Sequence, residues 1–162
     1  MNRQLKNCLR LDPENKQCFQ LRKEVKNVKT AVDTGHALKQ ERKWAQLVSH
    51  YEAAINKFYS TPQGAQRYAS KKHEALQALC EAHVHLKDPK QALTWCNQAI
   101  AVNDKDWESY CNKGEAEILL EDYDSAIRNY QKASELSGQN ERVSLWSGPF
   151  RFFIYLFFFM TR

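Results

Sequence analysis

The chain has 162 residues, with 24 basic and 19 acidic side chains and a net charge of +5. That is a one-domain length, and the charge is too mild for the dense basic stripe of a dedicated nucleic-acid binder. Five glycines and four prolines are too few for an all-β sandwich and leave no glycine-rich phosphate loop, while 43% apolar content suffices for a core.

At the amino end, Leu9-Arg-Leu-Asp-Pro13-Glu-Asn reads as the close of a helix with Pro13 just past its terminus. Residues 1–15 are therefore taken as a partial repeat lacking its first helix, and the chain is expected to begin inside a repeat. Residues 16–34 form a charged helix with Cys18, Phe19, Leu21, Val25, Val28 and Val32 on its apolar side. Its first part, 16–27, is assigned as a linker helix, and a first full repeat is set at 28–61.

Downstream, two segments repeat at a fixed step. Cys80 pairs with Gly114, Asp88 with Asp122, Ala92 with Ala126, Cys96 with Tyr130 and Ala99 with Ala133, each 34 residues apart. Thirty-four is the tetratricopeptide period. Small residues at Gly114 and Ala126 let two antiparallel helices approach, with Tyr110 and Tyr130 filling the space between them. Asp88 and Asp122 are placed to cap second helices, and Pro89 sits at a first helical position, where its missing N–H costs nothing. These are repeats 73–106 and 107–140. The upstream copy is weaker: Gly35 matches Gly114, and Leu47, Tyr51 and Ala54 reproduce the spacing of Ala126, Tyr130 and Ala133. Ala54 to Ala99 is 45 residues, so an insertion covers Pro62 to Lys72. With no helix breaker from Ala65 to His73, a short turn and then a lengthened first helix are expected. The fold class is all-α, a tetratricopeptide-repeat α-solenoid of antiparallel helix pairs.

After residue 143 the character changes. There is no acid, two arginines (Arg151 and Arg162), and eight of the nineteen aromatics. The apolar run 152–160 gives about 14 Å of helix, against the roughly 20 residues a bilayer core needs, so a membrane anchor is disfavoured. The tail 143–162 is read as foreign to the repeats, an alternative transcript or gene-model end, and as an aggregation liability if translated.

Taken together, Leu9-Arg-Leu-Asp-Pro13, Lys16-Gln-Cys18-Phe19, Ser70-Lys-Lys-His-Glu74, and Cys80 with Cys96 sixteen residues later resemble the last repeats of the P58-type J-domain co-chaperones. The resemblance spans roughly residues 1–142. It implies an endoplasmic-reticulum protein that binds unfolded or partner polypeptides, and whose full-length form also restrains initiation-factor-2 kinases. No His-Pro-Asp motif occurs in this sequence, so Hsp70 recruitment through a J domain is not expected of this segment. The resemblance places the protein in the lumen; read as a complete product without a signal peptide, the chain would be cytoplasmic.

Position puts Cys80 and Cys96 opposite each other on the two helices of one repeat, and Cys8 and Cys18 on either side of the Asp-Pro-Glu-Asn turn. Spacing alone leaves disulfides and reduced buried thiols both open. The resemblance, with its oxidising compartment, implies the pairs Cys8–Cys18 and Cys80–Cys96, with Cys111 staying reduced.

Other chemistry is thin. His83 and His85 point to nearly opposite sides of a helix and cannot easily share a metal, and Cys80 with His83 lacks two further ligands. No metal, cofactor or catalytic constellation is expected. Lys16, Arg22, Lys23, Lys26 and Lys29, offset by Glu24, read as a solvated helix face. Some tetratricopeptide domains clamp acidic carboxyl-terminal tails with Lys and Asn on successive first helices. Here the equivalent places offer Val32, His36, Gln77, Glu81, Cys111 and Asn112, of which only Asn112 suits, so no such clamp is expected. The candidate groove comprises Gln77, Glu81, His85, Cys111, Asn112, Glu115 and Leu119. The functional expectation is a non-catalytic scaffold for polypeptide clients or a kinase, with no nucleic acid partner. The competing reading is a cytosolic adaptor without a chaperone role.

Overall fold

A computed structural model describes residues 7, 8 and 10–138. The readings placed on residues 1–6, on Leu9 and on the 143–162 tail lie outside the described residues. Among the described residues every regular element is helical. The chain divides into two compact units, residues 1–67 and 68–162.

The first unit opens with α1 (Lys16–Gln40) and α2 (Trp44–Ala54). The Asp12 amide donates to the Cys8 carbonyl, closing a turn ahead of Pro13. Asn15 then caps α1, its side chain accepting from the Cys18 amide at 3.0 Å. The helix runs unbroken for 25 residues, so the expected linker helix 16–27 and the first helix of repeat 28–61 are one element. No glycine or proline stands between Lys16 and Thr34, which is why the assigned boundary at residue 28 leaves no trace. Val28, Val32 and Gly35 form its buried side, and Leu47, Tyr51 and Ala54 that of α2.

The insertion is not a simple lengthening. A π-helical turn, Ile55–Tyr59, continues from α2, and α3 (Pro62–Arg67) is a separate short helix. Tyr68, at φ −115 and ψ 29, leaves the helical region and separates α3 from α4 (Ala69–His85). The expected continuous run from Ala65 to His73 is therefore broken at a residue whose side chain gives no warning of it. What survives is a first helix beginning four residues ahead of the repeat start at His73.

The second unit contains two full hairpins, α4 with α5 (Pro89–Val102), and α6 (Trp107–Leu119) with α7 (Tyr123–Ser137). Helix α6 packs on α5 and also on α4. Asp88 accepts from the Gln91 amide and Asp122 from the Ser125 amide, with Pro89 in the first turn of α5, as the sequence requires. The Ser125 side-chain and backbone hydrogen bonds hold the Asp122 carboxyl below its ordinary range.

One crossing recurs. A Cβ at Gly114 would lie 2.8 Å from the Tyr130 ring, and one at Gly35 would overlap the Tyr51 ring. Each glycine thus marks where a second-helix tyrosine lies against first-helix backbone. In the α4–α5 hairpin the same two places, again sixteen residues apart, are Cys80 and Cys96, whose Cα atoms are 4.9 Å apart. The three hairpins share a geometry but fill their crossing point in two ways.

Candidate functional site

The face shared by α4 and α6 carries most of the groove proposed from sequence. Side chains three, four or seven positions apart stack on one side of a helix. On α4 that side holds Gln77, Glu81 and His85; on α6 it holds Glu108, Asn112, Glu115 and Leu119. Gln77, Glu81, Glu108 and Glu115 are half-buried, while His85 and Leu119 are exposed at the helix ends. Asn112 is only 3% exposed.

Cys111 does not belong to this face. It is 2% exposed and packs in the core with Ala126, Tyr130 and Ala133, covered by Trp107, Tyr110 and Ile118. One step along a helix turns a side chain by about 100°. That rotation carries residue 111 off the Asn112 stripe and toward α7, so the groove assignment of Cys111 is corrected to core.

A polar seam joins the two first helices. His73 Nε2 lies 3.3 Å from Asp106 Oδ2, the Ser109 hydroxyl donates to the same carboxylate, and the Gln77 amide donates to Glu108. Asp106 also caps α6, accepting from the Glu108 amide. Sequence reasoning missed this seam. Its one available signal in the sequence is Asp106 ahead of Trp107, the same capping pattern as at Asp88 and Asp122. The seam is not a nucleophile–base arrangement, because the serine donates to the carboxylate and not to the imidazole.

Inside the hairpins, equivalent places differ in chemistry. Glu117 is 5% exposed and accepts from Asn129 Nδ2 at 2.7 and 2.9 Å. Burial raises its carboxyl above the ordinary value, and the Asn129 hydrogen bond and nearby Lys113 work against that rise. Thirty-four residues earlier stand His83 and Trp95. Both His83 ring nitrogens and Trp95 Nε1 are sealed from solvent without a hydrogen bond, with Asp88 Oδ2 3.7 Å from His83 Nδ1.

The cysteines fall as two pairs. The sulfurs of Cys8 and Cys18 lie at bonding distance with Cα atoms 6.4 Å apart, as do those of Cys80 and Cys96 at 4.9 Å; both separations fall in the window a disulfide allows. Among the described residues no three His, Cys, Asp or Glu groups stand close enough to hold a metal ion, and no helix is long and apolar enough to cross a membrane.

The tetratricopeptide repeat family matches residues 108–140. DnaJ homolog subfamily C member 3 of Bos taurus is 24% identical over 140 residues, covering 86% of this chain and 26% of that protein. The DnaJ protein P58IPK homolog of Arabidopsis thaliana is 31% identical over 137 residues, covering 82% of this chain and 26% of that protein. The chain thus spans about a quarter of the length of the curated relatives it matches. Among solved structures, the P58(IPK) tetratricopeptide domain superposes with a TM-score of 0.72 at 20% identity, over 88% of this chain and 38% of that one.

Proposed function

From the homology of this tetratricopeptide-repeat chain, over most of its length, to the P58-type J-domain co-chaperones, we propose that it holds unfolded or partner polypeptide as a non-catalytic scaffold of a lumenal Hsp70 co-chaperone. The observation that carries this reading is the α4–α6 face, half-buried polar side chains set along two adjacent first helices. Such a surface suits an extended chain: its amides and glutamates can pair with main-chain groups regardless of sequence. Delivery of the bound chain to Hsp70 falls to a J domain, as in the relatives' names. Restraint of initiation-factor-2 kinases would use the same face as a docking site.

The endoplasmic-reticulum lumen is part of the proposal. Two cysteine pairs at bonding distance support it, since such pairs persist in oxidising compartments and are rare in the cytosol. The cytosolic-adaptor reading would keep the face and leave the pairs reduced. The test is light scattering of a thermally unfolding globular enzyme with increasing amounts of the purified chain. Dose-dependent suppression of aggregation is expected. Unchanged scattering, together with no co-sedimentation of the unfolded enzyme, would remove the scaffold reading.

A further inference from the structure

We propose that the first half of α1 docks on an anionic lipid surface, lying along it without crossing it. Residues 1–67 hold 13 of the chain's 24 basic side chains and only 6 of its 19 acidic ones, so the net positive charge belongs to the first unit. Much of it sits on one flank of α1. A helix turns by about 100° per residue, which sets Phe19, Lys23 and Lys26 opposite the buried Val28 and Val32. Arg22 and Lys29 border them, and Lys16 lies one turn before Phe19. All six side chains of this flank are exposed. Packing does not account for the stretch: α1 runs 25 residues against 11 in α2, and no side chain of residues 16–27 is buried.

Two features distinguish this flank from an ordinary solvated helix side. The acid that the sequence sets among the bases is withdrawn from them: Glu24 Oε2 faces Arg67 Nη1 of α3 at 3.6 Å. Asp33, one turn past Lys29, is the other acid of α1, and among the described residues none of the five bases makes an ion pair. The second feature is apolar. Phe19 does not join the apolar side expected of it but is 58% exposed, and Leu11, in the turn that Cys8 and Cys18 tie to this helix end, is 80% exposed. No other large apolar side chain among the described residues is as open to solvent as these two. Arg22, Lys23 and Lys26 follow the Phe19 ring by three, four and seven positions, so they surround it on the helix surface. A ring set among bases suits a lipid–water interface, where the ring enters the headgroup layer and the cations meet lipid phosphates and carboxylates. The flank of a single helix is convex, whereas a bound peptide is held in a groove or along a strand edge. Five bases on one flank also fall short of the dense stripe that nucleic acid needs.

The full oxidised chain is sedimented with vesicles of phosphatidylcholine, alone or with about one-third phosphatidylserine. Partition onto the anionic vesicles is expected to be at least about a hundredfold stronger than onto the neutral ones, and to fall as salt is raised. K23Q/K26Q is expected to weaken it by about twenty-fivefold, near fivefold for each charge removed, and Phe19→Ala by about fivefold. K90Q/K105Q, an equal loss of charge in the second unit, is expected to leave it unchanged; circular dichroism checks that each variant folds. Equal partition onto neutral and anionic vesicles, or anionic binding that K23Q/K26Q leaves intact, overturns the assignment, because the aromatic stretch 152–160 would then carry the chain to lipid. An equal loss in K90Q/K105Q and K23Q/K26Q also overturns it, since net charge and not this flank would be acting. A glutamate-rich peptide or an RNA oligonucleotide bound through Lys23 and Lys26, with no partition onto anionic vesicles, overturns the lipid surface as the occupant. The α4–α6 face is untouched by every variant, so each of these failures leaves the scaffold reading standing.

Discussion

Gly114 shows how one missing side chain sets a helix crossing. Its absent Cβ is the space the Tyr130 ring fills: Tyr130 Cε2 would be 2.8 Å away and Cδ2 3.0 Å. Neither helix can yield without disturbing the core that Tyr130 shares with Cys111, Ala126 and Ala133. Gly114→Ala is therefore expected to cost about 1–3 kcal/mol in urea denaturation, and G114A/Y130L to recover part of it; a cost confined to the double variant would contradict the packing argument. Glu117 makes a different test. Burial raises its folded-state carboxyl above the ordinary 4.5, so the native state holds the proton to higher pH than the unfolded state does. The stability linked to it is fully present below the ordinary value and is lost as pH climbs through the raised one. In E117Q the Asn129 contact keeps an acceptor and the titration is gone. The stability of E117Q relative to the wild-type chain should accordingly increase as pH rises from about 4.5 toward neutrality, and a difference flat with pH would show that Glu117 titrates alike in both states.

The hairpin turn is the element that recurs most faithfully. Lys43, Asp88 and Asp122 donate back to the carbonyls of Leu38, His83 and Glu117, and the residues before them, Arg42, Lys87 and Glu121, donate to Lys39, Val84 and Ile118. This is the Schellman closure, and its C′ residue sits at positive φ in all three: 55°, 59° and 62°. In the last two hairpins the next residue, an aspartate, at once caps the second helix. A side chain with a Cβ is strained there, so Lys87→Gly is expected to raise stability by about 0.5–1 kcal/mol, whereas Asp88→Ala removes the cap and lowers it by about 1 kcal/mol; thermal melts in the oxidised protein read both. These turns also show which parts of the fold could be read in advance. The 34-residue step, the aspartate caps and the glycine–tyrosine crossings were readable because each is one residue type answering one local demand. The αL residues were not, because glycine is the usual signal and the chain uses Arg, Lys and Glu. The break at Tyr68 was hidden for the converse reason: no breaker residue marks it. The groove residues on α4 and α6 followed from helical phase, but including Cys111 beside Asn112 put in the groove a side chain that belongs to the core. The His73–Asp106 seam joins the starts of two successive first helices, and sequence periodicity says nothing of which ends meet.

For the molecule as a whole, the two units raise the question of how far local reinforcement travels. In a repeat protein, stability is close to a sum of hairpin and nearest-neighbour terms, so a cross-link should act mainly where it is made. Cys8 and Cys18 lie in the first unit, and Cys80 and Cys96 in the second. The latter pair replaces the glycine–tyrosine crossing of the other two hairpins, so its helices lack the ring that elsewhere fills the gap and depend on the covalent tie. Closing a loop of sixteen residues contributes about 3 kcal/mol on the chain-entropy model. Non-reducing peptide mapping of oxidised protein is expected to recover both pairs linked and Cys111 as a thiol. C80A/C96A is then expected to speed amide hydrogen exchange in α4 and α5 by up to about a hundredfold, with α1 and α2 little changed, and C8A/C18A to act on the start of α1 alone. Restoring the neighbouring hairpins' solution with C80G/C96Y should recover much of the lost protection without any cross-link, because the tyrosine ring then occupies the space the sulfurs held. If exchange in C80A/C96A instead rose equally in all helices, stability would be shared across the chain and the hairpin would not be its unit. If C80G/C96Y protected no better than C80A/C96A, the disulfide and the ring would not be interchangeable answers to the same crossing.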